Sequence, residues 1–155
     1  MSQIDKKLAE LGITLPTPAK PVANYVGWVR TGNLVYTAGQ VTLNNGKLEY
    51  QGKVGKDFTT EEAAKAARLC AINIVAQLKD ACGGNLDKVK RIVKLVGFVN
   101  GTPEFTDHPK VINGFSELLA EIWGPEDGVG ARSAVGMGPL PGNIAVEIEA
   151  IFELR

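Results

Sequence analysis

Arg132, Glu147 and Glu149 are the residues of this 155-residue chain whose types and spacing best suit chemistry. The arginine stands in the small-residue run GVGARSAVGMG, where Gly130, Ala131, Ser133 and Ala134 leave room around a long side chain. A guanidinium presents its donors as a planar fork that matches a carboxylate, whether the protein's own or a ligand's. After a Gly/Pro turn the chain alternates strictly, which sets Glu147 and Glu149 on the strand face opposite Ile144, Val146, Ile148, Ala150, Phe152 and Leu154. Two readings of this pair stay open. Arg132 is either structural glue, ion-paired to a glutamate across the closing hairpin, or the anchor of a bound carboxylate. The glutamates are either a solvated strand face or semi-buried groups in need of a partner.

Few other residues carry reactive chemistry. The single histidine, His108, stands beside Pro109 at a helix start, where an exposed cap neighbour is expected, and no nucleophile elbow accompanies it. Histidine and cysteine are too few and too scattered for a zinc site. GKVGKDF lacks the P-loop spacing, and no G-x-G-x-x-G opens a helix after a strand. No metal and no cofactor is therefore expected. What is left is a site of Arg, Glu, Tyr, Asn and backbone groups. Tyr25 is such a residue, or merely a strand-edge aromatic. Asn113, inside a helix where asparagine is mildly unfavourable, points to a hydrogen-bonding task.

Composition bounds the class. Seventeen basic and seventeen acidic residues cancel, and mean hydropathy is near zero, so a globular domain without a nucleic-acid partner is expected. KVKRIVK at 88–94 is an example of a local basic cluster. No apolar run approaches the roughly 18–20 residues of a membrane span, and no membrane partner is expected. Cys70 and Cys82 lie twelve positions apart in one predicted helix, too far along the axis to bridge. They read as reduced core thiols of a cytoplasmic protein.

The elements that must position these residues follow from the apolar periods. Residues 3–11 predict a short helix ended by Gly12, and an extended stretch then leads to the domain proper, giving 1–17 as helix and linker and 18–155 as the domain. NYVGWVRTGNLVYTAGQV predicts a hairpin around TGN, and Asn45-Gly46 a second turn. Thr59 with Glu62 has the capping-box form, opening a helix whose face carries Ala67, Cys70, Ala71, Ile74, Val75, Leu78 and Cys82 before Gly83-Gly84. Residues 89–99 predict a strand. A second long helix starts at Thr106 or Asp107 with Pro109 in its first turn, carries Val111, Ile112, Phe115, Leu118, Leu119, Ile122 and Trp123, and closes at Gly124-Pro125. Strands near 130–137 and 144–154 finish the chain. The expectation is an α+β layer, about six strands in a mixed sheet with both long helices on one face. The other face, with Val93, Leu95 and Val99, is left for a second copy of the chain to cover.

PVANYV, GNLVYTAGQV, GGNLDKVKRIVKLVGFV, FTDHPKVINGFSELL and ARSAVGMGPLPGNIAVEIEAI together resemble the RidA/YjgF family over residues 18–154. These are reactive-intermediate imine/enamine deaminases, some of them labelled endoribonuclease L-PSP-like. The resemblance implies a chorismate-mutase-like fold, a homotrimer, and ligand clefts between subunits. It implies Arg132 as the carboxylate-binding residue and Glu147, fifteen positions on, as the residue that positions water. Tyr25, Ala38, Gly39, Asn113 and Ala134 fall at the substrate-binding positions. Two of these depart from the family pattern: Ala38 replaces a serine, and Ala134 replaces a cysteine. The implied activity is hydrolysis of 2-imino or enamine acids to 2-keto acids and ammonia. A small-carboxylate-binding or regulatory trimer is the alternative, and an endoribonuclease or translation inhibitor the third reading.

Overall fold

The computed structural model describes all residues, 1–155. Each long helix starts where its capping chemistry begins. The helix α2 (Thr60–Ala81) opens on a reciprocal capping box, in which Thr59 Oγ1 accepts from the Glu62 amide and Glu62 Oε1 from the Thr59 amide, both at 3.1 Å. The helix α3 (His108–Asp127) starts after Asp107, which makes no side-chain cap bond, and Gly124 (φ 89°) breaks its axis just before Pro125. The two predicted apolar stripes are buried against the sheet, with Trp123 half-buried, its ring 6.3 Å from Phe152. The helices pack so closely that a Cβ on Gly114 would overlap the Ala64 carbonyl.

The main sheet holds five strands: β1 (Trp28–Thr31), β2 (Leu34–Thr37), β5 (Val89–Asn100), β6 (Ala131–Met137) and β7 (Val146–Leu154), in the order β1-β2-β7-β5-β6. Only β5 and β6 run parallel, which requires the crossover that α3 supplies. The Asn45-Gly46 turn forms its own two-stranded hairpin, β3 (Leu43–Asn44) with β4 (Lys47–Leu48), outside that sheet. Both turn residues take positive φ, 51° and 82°, as a tight hairpin needs. The short helix α1 (Gln3–Glu10) buries Leu8 in the core cluster, and its first two amides, Gln3 and Ile4, donate to the Asp87 carboxylate at 2.9 and 3.0 Å.

Two expectations about the sheet are corrected: it has five strands rather than about six, because the short Asn45-Gly46 hairpin stands apart, and one strand faces differently. Leu95 and Val99 lie in the core beneath the helices rather than beside Val93 on the other face. A register shift between Ile92 and Lys94 inserts an extra residue in β5, so Ile92 and Leu95 point the same way and Val93 is thrown outward. Beyond the bulge the face away from the helices carries Val96 and Phe98 of β5. Val29, Tyr36, Val135 and Ile151 extend it across the neighbouring strands. Nothing in the chain covers it: Val29, Tyr36 and Val135 stay exposed.

Candidate functional site

Arg132 is placed by β6, an edge strand. Its Cα partner is Leu95, whose partner on β7 is Ala150, and both of these side chains are buried under the helices. Registered residues share a face, so Arg132 projects to the helix side. There its Nη1 donates to Ser116 Oγ (3.3 Å) and its Nη2 to the Pro109 carbonyl (3.2 Å), both on α3. Asn113 lies four residues after Pro109 and three before Ser116, on that same helix face. Ala134, two residues along β6, packs against the core on the arginine's side of the sheet. Arg132, Asn113, Ser116 and Ala134 thus form one half-exposed cluster. It contains no acid, and Arg132 makes no ion pair.

Glu147 belongs elsewhere. Its β5 partner is Phe98, so it projects from the face turned away from the helices. The strand β5 lies between β6 and β7, which sets Arg132 and Glu147 about 10 Å apart across the sheet and three residues, about 10 Å more, along it, before the opposite directions of their side chains are counted. The ion pair across a closing hairpin is therefore absent, for a topological reason: the crossover through α3 sends β6 to the far side of β5.

Glu147 packs on the backbone of the Ala38-Gly39-Gln40 segment, where a Cβ on Gly39 would strike its carboxylate. Double backbone pairing of Gln40 with Ile148 holds that segment against β7. Burial, then the neighbouring Glu149, raises the Glu147 pKa above the ordinary glutamate value. No cation answers it. Glu147, Gly39 and Tyr25 line one cleft of about 560 Å³. The expected site residues thus fall into two groups, Tyr25, Ala38, Gly39 and Glu147 in one and Arg132, Asn113 and Ala134 in the other.

Several polar residues went unnoticed in the sequence. Ser116 touches the arginine. Gln77, almost fully buried on α2, donates through Nε2 to the Ala19 carbonyl at 3.1 Å and lines the cleft with Glu147. Asn73, one turn earlier, holds the Val41 and Leu43 carbonyls. Their signal was a pair of amides spaced i, i+4 inside an apolar helix. His108 is half-buried rather than exposed: its ring meets Phe105 edge-on at 5.3 Å and lies over Gly136. No group of three or more His, Cys, Asp or Glu side chains is placed to hold a metal ion. No helix is long and apolar enough to cross a membrane.

Residues 5–147 match the family model described as "YjgF/chorismate_mutase-like, putative endoribonuclease". The chain belongs to the YjgF family. Among its curated relatives, protein TCP17 of Trypanosoma cruzi is 42% identical over 153 residues, 99% of this chain and 95% of the relative. A 2-iminobutanoate/2-iminopropanoate deaminase of Dermatophagoides farinae is 28% identical over 143 residues, covering 92% and 95%. Among solved structures, the protein Atu1372 of Agrobacterium tumefaciens, of unknown function, superposes with a TM-score of 0.91 at 47% identity, over 98% of this chain and 92% of that one. The α+β sheet with its helices is thus the YjgF fold.

Proposed function

We propose that this YjgF-family chain is a 2-imino acid deaminase that hydrolyses reactive imino or enamine acids to 2-keto acids and ammonia. Its cleft lies between the subunits of a homotrimer. One observation carries the reading: Arg132 has no carboxylate in its own chain, Glu147 has no cation in its own chain, and the sheet directs them to opposite faces. A cleft holding both takes Arg132, Asn113 and Ala134 from one chain and Glu147, Tyr25, Ala38 and Gly39 from the next. The uncovered apolar face of Val29, Tyr36, Val96, Phe98 and Val135 gives the subunits a reason to associate, because burying such area is favourable. The deaminase named among the relatives supports the same chemistry.

The steps follow from the groups. Arg132 takes the substrate carboxylate on its fork, drawing electron density from the adjacent C=N carbon. Glu147 holds a water, and its raised pKa makes it a stronger acceptor for the water's proton. The water oxygen bonds to the imine carbon while the C=N pair moves to nitrogen, giving a carbinolamine. Glu147 passes the water's first proton to the nitrogen; in the collapse the carbinol hydroxyl gives its own proton to that nitrogen as the C–N bond breaks, so ammonia leaves and the C=O of the 2-keto acid remains. Imines hydrolyse in water unaided, so positioning and fixed charge suffice for acceleration.

Ala38 and Ala134 favour a second reading, a carboxylate-binding or regulatory trimer, because each lacks the hydroxyl or thiol of the family pattern. The endoribonuclease reading rests on the family description; zero net charge and a single histidine weigh against it. Two free buried cysteines suit a reducing compartment, and we place the protein in the cytoplasm. The test is to generate 2-iminopropionate in situ and follow its decay with wild type, Arg132→Ala and no protein. Acceleration by wild type alone is expected, and equal decay in all three would reject the deaminase.

A further inference from the structure

The cleft beside Glu147 is larger than the smallest imino acids require. Its volume of about 560 Å³ falls in the range, about 300–1,000 Å³, of pockets that enclose whole drug-sized ligands. That volume is the share of one chain, before the next chain's Arg132 side closes the proposed cleft. Away from Glu147 and Tyr25 its apolar walls are Val41, Leu43, Leu48 and Pro141, with the exposed Lys20 and the buried Gln40 also in the lining. Of its two buried amides, Gln40 commits Nε2 to the Ala38 carbonyl at 3.4 Å, and Gln77 lies deeper on α2. Gln77, 3% exposed, has its Nε2 committed to the Ala19 carbonyl, which fixes the amide orientation and turns Oε1 toward Gly27. No donor of the protein meets that oxygen, so a nearly buried acceptor faces the cleft. Open to the cleft, that oxygen is free to bond water; a ligand that displaces this water must supply a donor or leave the acceptor unpaired, which is costly.

We infer that the natural substrate carries a large, mainly apolar side chain that ends in a hydrogen-bond donor, as a phenol or an indole does. The inference rests on the proposed cleft between Arg132 and Glu147 and specifies what that cleft selects. The apolar walls take the ring, and Gln77 Oε1 takes the donor at its tip. Gln77 is thus a specificity residue, about four helical turns beyond the capping box that opens α2.

The test uses the full-length protein and imines made in situ from alanine, phenylalanine and tyrosine by an amino-acid oxidase, with the remaining imine trapped by semicarbazide. The tyrosine imine is expected to exceed the alanine imine in kcat/KM by at least about tenfold, and to exceed the phenylalanine imine, which lacks only the hydroxyl. Gln77→Leu should bring tyrosine and phenylalanine imines level, and Leu48→Trp should lower the tyrosine-to-alanine ratio by about tenfold. Melting curves confirm that both variants fold. An alanine imine equal to or better than the tyrosine imine, with ratios unmoved in both variants, would overturn the inference and leave the deaminase standing. If no imine is accelerated, the deaminase reading fails, and calorimetry with pyruvate and 4-hydroxyphenylpyruvate decides the rest. Tighter binding of the larger acid supports the selectivity; equal or absent binding overturns it.

Discussion

Arg132 can be removed without touching the fold's supports. Its guanidinium reaches only the Ser116 hydroxyl and the Pro109 carbonyl, both on α3 and outside the buried core. Arg132→Ala is expected to shift stability by no more than about 0.5 kcal/mol, the usual bound for changes outside a packed or charged network. It should nevertheless lower kcat/KM by about a hundredfold or more, since the proposed carboxylate clamp orients the reacting carbon. Paired melting curves and imine-decay rates check both. Glu147 works in the opposite direction. Its pKa is raised in the folded chain, so its charge opposes folding: the penalty sets in as pH rises through the unfolded value, about 4.3, and is complete above the folded one. Glu147→Gln should therefore raise the melting temperature at pH 7, lose that gain below about pH 4, and abolish the acid limb of the kcat/KM profile. At this scale the sequence was informative about identity and silent about neighbours. Arg132 and Glu147 stood out by type and spacing, whereas Ser116 and Gln77 are ordinary residues whose roles come from long-range placement.

The elements show where local pattern suffices and where topology overrides it. Capping boxes, Gly-Gly stops and apolar stripes are local, and α2 and α3 formed where those signals stood. Two features were not legible. The bulge at Ile92–Lys94 changes the strand's alternation, and no residue type announces it, so Leu95 and Val99 were placed on the wrong face. Adjacency of β6 and β7 in sequence suggested a hairpin, but the parallel crossover puts β5 between them. Two predictions belong here. Gly114→Ala forces a methyl onto the Ala64 carbonyl and should cost about 1–3 kcal/mol, read by denaturant unfolding. The helix α1 should detach in acid. The Asp87 carboxylate is held below its ordinary pKa by the Ile4 and Gln3 amides, and Asp5 by its bond to Lys79 first. Depressed acids stabilise above the unfolded pKa, about 3.9, and that contribution fades as pH falls through the folded values. Amide exchange along 3–10 should accelerate below about pH 4 while α2 stays protected.

For the whole molecule, the central question is how an arginine and a glutamate on opposite faces of one sheet come to share a substrate. In the proposed trimer, association through the uncovered face brings them together. Phe98→Asp, on that face, should yield monomers by light scattering and take the activity with it, because a charge there has no partner to pay for its burial. The most direct measurement mixes two inactive variants. Arg132→Ala and Glu147→Gln are unfolded together in equal amounts, refolded, and assayed for imine hydrolysis. If each cleft takes its arginine from one chain and its glutamate from the next, mixed trimers rebuild intact clefts, about a quarter of the wild-type number for a cyclic trimer. Recovery near that fraction is the predicted result. A mixture no more active than either variant alone would contradict a cleft shared between subunits.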